Sequence, residues 1–174
     1  AMNCPNCTSE LKSIQYEGIT IETCPGCGGE WLDADELGHI VRIREVRFSD
    51  EERRAIDATA KIPGVPSQEI ERDVTCPKCG IATRPINYGA DTGIIIDRCG
   101  QCHGIWLDAD ELEKIQMLVE TWKDNLPADL KKYAPQLRKI AQELDRADDV
   151  TVSRLPGVGS YINAVVNGIL DVTG

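Results

Sequence analysis

The sequence predicts a small α+β fold, built twice from one short module and too thin in apolar side chains to stand without a cross-link. Three observations predict it. The eight cysteines fall into four Cys-x-x-Cys pairs. The pairs and their flanks repeat: Cys4-Pro5-Asn6-Cys7 returns as Cys76-Pro77-Lys78-Cys79, Cys24-Pro25-Gly26-Cys27 as Cys99-Gly100-Gln101-Cys102, and Trp31-Leu32-Asp33-Ala34-Asp35-Glu36-Leu37 unchanged as Trp106 to Leu112. Aromatic content is only 5% with a single Phe, Phe48, and modules this short bury too little apolar surface to fold without a staple such as a metal. The expected class is therefore a small metal-stabilised α+β fold.

Each module reads as a β-hairpin between two cysteine pairs, followed by a helix. In the first, Leu11 to Tyr16 leads to a turn at Glu17-Gly18, and Ile19, Ile21 and Thr23 then alternate with Thr20 and Glu22, the period of a half-buried strand. In the second, Ala82 to Tyr88 leads through a longer, turn-rich stretch, Gly89 to Gly93, into Ile94-Ile95-Ile96; the three extra residues of this copy fall there. Asp33 with Glu36, and Asp108 with Glu111, have capping-box spacing and mark the helix starts. Leu37, Ile40 and Val41, and Leu112, Ile115 and Val119, form the buried stripes.

A second helix follows the first module, with Ser49 and Glu52 as a further capping box and Ala55, Ile56 and Thr59 on one side. Pro63-Gly64-Val65-Pro66 ends it. Beyond the second module, Pro127 and Pro135 suit first turns of helices, the latter running to about Ala147 with Leu137, Ile140, Ala141 and Leu144 on one face. Pro156 to Val172 is a last apolar helix, a candidate for self-association through Val158, Tyr161, Ile162, Val165, Val166, Ile169 and Leu170 or for packing on the helix before it. The expected divisions are 3–61 for the first module with its trailing helices, 62–74 for a linker, 75–124 for the second module with its helix, and 125–174 for a C-terminal helical segment.

The intervals C-x2-C-x16-C-x2-C and C-x2-C-x19-C-x2-C are those of zinc sites. Each pair forms a knuckle aiming two thiolates the same way, and the hairpin brings two knuckles together. The expectation is two Zn2+ per chain, one held by Cys4, Cys7, Cys24 and Cys27 and one by Cys76, Cys79, Cys99 and Cys102. Iron in a rubredoxin-like site uses similar knuckles and remains the alternative metal. Redox-active Cys-x-x-Cys needs a βαβ context that is absent, and nothing points to an oxidising compartment. Four thiolates leave zinc no open position, so the sites read as structural, with no catalytic residues and no enzyme. His39 and His103 read as surface residues, Trp31 and Trp106 as covers over the metal knuckles, and the glycines after Cys27 and Cys79 as positions needing φ > 0.

These residues resemble a family. Cys4, Pro5, Cys7, Tyr16, Gly18, Cys24, Pro25, Cys27, Gly29, Trp31, Leu32, Asp33, Glu36 and Leu37, and again Cys76, Pro77, Cys79, Tyr88, Cys99, Cys102, Gly104, Trp106, Leu107, Asp108, Glu111 and Leu112, are similar to the transcription factor IIB-type zinc-finger family. The second copy departs at Gly100, where the pattern favours Pro, and in its insertion; neither removes a ligand. The resemblance covers about half the chain and implies two tandem zinc ribbons, without implying a role in transcription.

Net charge is −10, and each four-thiolate zinc site would add −2. Asn3 to Phe48 carries eight acidic and four basic residues, and Thr75 to Asp124 eight and five. Phosphate backbones are bound by Lys and Arg displacing counterions, so this balance disfavours nucleic acid and favours a neutral or basic partner. The expected function is a non-enzymatic adaptor or scaffold for another protein. The alternative is nucleic-acid binding, since Val152-Ser153-Arg154-Leu155-Pro156-Gly157-Val158-Gly159 resembles the turn of a helix-hairpin-helix, whose amides grip a phosphate. A zinc-dependent chaperone ranks below both, because the repeated Cys-x-x-Cys-x-Gly-x-Gly knuckles of DnaJ-type proteins are missing. With no secretory segment and no run of about 20 apolar residues, a cytoplasmic protein without a membrane span is expected.

Overall fold

A computed structural model describes residues 1–43, 47–59 and 61–125. The helices expected beyond Pro127, and the Val152 to Gly159 turn, lie outside the described residues.

Both hairpins form where the apolar alternation places them. Lys12–Tyr16 (β1) pairs antiparallel with Ile19–Thr23 (β2), and Arg84–Asn87 (β4) with Ile95–Arg98 (β5). Two further strands, Glu30–Leu32 (β3) and Ile105–Leu107 (β6), were not expected from the sequence. Each follows the second knuckle of its repeat and adds to that repeat's hairpin, and the two then pair with each other with Trp31 opposite Trp106. The result is one antiparallel sheet in the order β1-β2-β3-β6-β5-β4, with a pseudo-two-fold between the tryptophans. The 62–74 segment does more than connect: Ile62 bridges to Thr92, and the Asn87 amide donates to the carbonyls of Ile62 and Gly64 at 2.6 Å each.

Strand alternation divides the side chains between two faces. One buries Ile21, Leu32, Ile96 and Leu107 against Leu37 and Ile40 of Glu36–Ile40 (α1), the Val41 that follows it, and Leu112, Ile115, Leu118 and Val119 from Glu111–Asn125 (α4). Both predicted helical stripes are thus core. The other face buries Trp31 and Trp106 with Cys4, Cys24, Cys76 and Cys99. Apolar contacts therefore run across the junction of the repeats on both sides of the sheet.

The helix starts differ in part from expectation. Ser49 and Glu52 complete their box at the start of Asp50–Asp57 (α2): the Ser49 hydroxyl accepts from the Glu52 N–H, and the Glu52 carboxylate accepts from the Ser49 N–H. Along α2, however, only Ile56 of the expected side is packed against the core; Ala55 and Thr59 are exposed. At α1 only half a box forms. Glu36 accepts from the Asp33 N–H at 2.7 Å, but the helix begins after Asp35, which has φ 72° and no side-chain cap. The Asp33 carboxylate is engaged by the other repeat instead. Between the repeats lies one more short helix, Ser67–Ile70 (α3).

Several polar contacts lock the helices across the repeats. The Lys123 ammonium, buried near the end of α4, donates to the Val41 carbonyl at 2.9 Å. Tyr16 at the first hairpin's tip donates to Gln116 of α4 at 2.7 Å. Arg53 of α2 bridges to Glu120 and Asp124 of α4.

Glu30 sits half-buried in β3, and desolvation together with the Glu113 and Asp110 carboxylates pushes it up to about 7. Its folded pKa lies above the ordinary value, so its charge costs nothing below about pH 4.5 and the full penalty above about pH 7. Glu30→Gln should therefore stabilise the protein by about 1–2 kcal/mol at pH 8 after allowance for solvent screening. The gain should shrink as the pH is lowered to 6, as read from denaturant midpoints in zinc-containing buffer.

Candidate metal centres

All four knuckles share one backbone design. The N–H four residues after each leading cysteine donates to that cysteine's carbonyl: Thr8 to Cys4, Gly28 to Cys24, Gly80 to Cys76 and His103 to Cys99, at 2.9–3.1 Å. The leading cysteine's own N–H donates to the carbonyl five residues on, at Ser9, Gly29, Ile81 and Gly104. Closing that loop puts the residue four after each leading cysteine in the left-handed region, with φ 62° at Thr8, 75° at Gly28, 72° at Gly80 and 60° at His103. The two glycines stand where that conformation is free of strain, as expected; Thr8 and His103 carry a Cβ penalty of about 1 kcal/mol or more. His103→Gly should raise stability by about 0.5–1 kcal/mol, visible as a higher denaturant midpoint with zinc content unchanged.

The hairpins bring the knuckles together in pairs. The sulfurs of Cys4, Cys7, Cys24 and Cys27 form one group, those of Cys76, Cys79, Cys99 and Cys102 the other, and within each group all lie within 4.8 Å of one another. Individual Sγ–Sγ separations are 3.5 Å for Cys4–Cys27, 3.3 Å for Cys7–Cys24 and 3.7 Å for Cys76–Cys102. A zinc tetrahedron with bonds of about 2.3 Å has sulfur–sulfur edges of about 3.8 Å, whereas a disulfide would need about 2 Å. All eight cysteines are free. The donor set, four thiols converging from two knuckles, fits one Zn2+ per group. Backbone N–H groups already aim at the sulfurs, from Asn6 to Cys4 at 3.4 Å, Cys79 to Cys76 at 3.2 Å and Gln101 to Cys99 at 3.4 Å.

Without a cation the thiols of one site titrate very differently. Burial pushes Cys4 and Cys76 up to about 12. Exposed Cys7 is brought down to about 6 by the Ser9 hydroxyl. At Cys99 burial acts upwards, yet the N–H groups of Cys102 and Gln101 bring it to about 7. Only a bound cation makes all four thiolates together, which is the linkage between metal, proton and fold. Both histidines are exposed and outside the sulfur groups.

What the sequence reading missed is that each centre is enclosed by the opposite repeat. A Cβ placed on Gly104, which closes the Cys99 knuckle, would lie 2.2 Å from Trp31; one on Gly29, which closes the Cys24 knuckle, would lie 2.3 Å from Trp106. Each tryptophan thus lies over the other repeat's knuckle, where a cover over its own had been expected. Polar contacts repeat the exchange. The Asn6 amide, between Cys4 and Cys7, donates to Asp108 at 2.7 Å, and the Lys78 ammonium, between Cys76 and Cys79, bonds both oxygens of Asp33 at 2.8–2.9 Å. Trp31 and Trp106 donate from Nε1 to the same two carboxylates. Asp108 also receives Arg72, whose guanidinium reaches buried Asp97 at 2.6 Å. The one sequence signal for the close approach was the Gly-x-Trp spacing.

Two Cys4 centres, each built from the two knuckles that flank a hairpin, with a helix following on the sheet's other face, define a tandem zinc-ribbon protein. Residues 3–43 and 75–116 each match the transcription factor zinc-finger family, so the chain carries two tandem copies of that ribbon. No curated protein and no solved structure matched the chain. Among the described residues no helix is long and apolar enough to cross a membrane.

Proposed function

We propose that this tandem zinc-ribbon protein is a non-enzymatic adaptor that binds another protein in the cytoplasm. The observation that carries the reading is the closure of both sulfur groups: zinc with four thiolates has no position left for water or substrate. The knuckles, tryptophans and crossing carboxylates that surround the metals are committed to joining the repeats, which suits a rigid platform. The formal charge of −10 supports a neutral or basic partner surface. The self-association proposed for the Pro156 to Val172 segment is checked by truncation after Arg154 and light scattering, where loss of a dimer supports it.

Nucleic-acid binding is the second reading, favoured by the family's description as a transcription factor zinc-finger. Affinity recovery from source lysate, with and without nuclease, separates the two. Protein partners retained after nuclease support the adaptor. Recovery lost to nuclease, together with duplex binding that weakens steeply with salt, would establish the second reading in its place.

A further inference from the structure

We propose that the two four-cysteine sites bind zinc cooperatively, each completing the other's frame through the strands that carry Trp31 and Trp106. The geometry is reciprocal. Trp31 of the first ribbon fills the space over Gly104, whose carbonyl accepts the Cys99 N–H at 2.9 Å; Trp106 of the second fills the space over Gly29, whose carbonyl accepts the Cys24 N–H at 2.8 Å. Both rings are fully buried, in one cluster with Cys4, Cys24, Cys76 and Cys99. The first knuckle of each ribbon is also tied to the carboxylate at the start of the other's helix, Asn6 to Asp108 and Lys78 to Asp33.

The direction of the coupling follows from where the ordering cost falls. The second knuckle of each ribbon lacks its tryptophan cover when that ribbon stands alone, because the ring packed on its closing glycine comes from the opposite ribbon. Zinc in one site fixes the knuckle that leads into β3 or β6, and with it the tryptophan and carboxylate that the other site needs. The second ion then meets a frame already paired along Trp31–Trp106. It pays less ordering entropy than the first, which is positive cooperativity. Linkage makes the effect equal in both directions.

Two measurements test this on the full chain. In the first, metal-free protein under reducing conditions receives one equivalent of Zn2+ and is examined by native mass spectrometry. Cooperative loading leaves mainly metal-free and two-zinc chains, with one-zinc chains well below half. One-zinc chains at half or more of the population would overturn the proposal, as would a chain that takes up no zinc. In the second, Cys4→Ser with Cys7→Ser disables the first site, and zinc affinity at the second is read by chelator competition. The expected loss there is about tenfold or more, with a matching loss at the first site when Cys76→Ser and Cys79→Ser are made instead. A remaining site that keeps wild-type affinity and its dispersed amide spectrum would mean independent ribbons. Trp31→Ala, which keeps all eight cysteines, should weaken the second site more than the first; a loss confined to the first would also contradict the proposal.

Discussion

Stripping both metal sites is expected to unfold the whole six-stranded sheet, rather than to loosen two local loops. Structural zinc in small ribbons contributes on the order of 10 kcal/mol of apparent binding free energy that is also folding free energy. The architecture leaves little to compensate for its loss. The zinc-side core consists of two tryptophans, four cysteines, Leu11 and Val74, so half of its members are metal-ligating side chains. Without metal, buried Cys4 and Cys76 return to neutral thiols with pKa about 12, and nothing draws the four sulfurs of a site together. The tryptophans then lose the knuckle glycines they pack on, and the β3–β6 pairing loses its cover. The opposite face keeps its aliphatic cluster with α1 and α4, which can hold helical content but not the strand register. Chelation under reducing conditions should therefore abolish amide dispersion in β1 to β6 and expose tryptophan fluorescence, while part of the far-ultraviolet helical signal persists. A metal-free chain that kept dispersed resonances for Ile21, Trp31, Ile96 and Trp106 would show that the sheet stands without its ions.

How much of this arrangement the sequence disclosed follows the range of the interactions involved. The hairpins were legible because Ile19 and Ile21 alternate with Thr20 and Glu22 within one strand, and the sulfur groups because knuckle spacing is a local geometric requirement. The Ser49–Glu52 box formed whole because the partners are three residues apart and bond each other in both directions. At Asp33 the same local pattern was only half realised, since Lys78, 45 residues away, takes the carboxylate. The short strands β3 and β6 offered too few residues for a period-two signal, and each finds one of its two partners in the other repeat. Unchanged repetition of Trp31 to Leu37 at Trp106 to Leu112 was the available clue, because a pseudo-two-fold junction asks the same residues of both halves.

Removing the guanidinium of Arg72 should be the most damaging single change away from the metal ligands. Arg72 lies in the segment between the ribbons and bonds two carboxylates of the second one, Asp97 on β5 and Asp108 ahead of α4. Asp97 is only 1% exposed. Besides Arg72, Thr83 reaches it at 3.4 Å. Burial raises its pKa and Arg72 opposes the rise, so Arg72→Ala leaves a buried carboxylate largely uncompensated, a defect of about 3–5 kcal/mol. The same change frees Asp108, which also holds Asn6 and Trp106, so the loss should reach the junction of the ribbons. The pH dependence identifies the cause. Without its cation, Asp97 has a folded pKa further above its unfolded value, so the penalty is complete above the new folded pKa and relieved below it. The variant's deficit relative to the parent should therefore narrow as the pH is lowered in zinc-containing buffer, measured by denaturant unfolding. Adding Asp97→Asn should recover most of the loss at pH 8, since the uncompensated charge is gone, and should flatten the pH dependence. A deficit below about 1 kcal/mol with no pH dependence would match an exposed pair and would mean that water, rather than Arg72, satisfies Asp97.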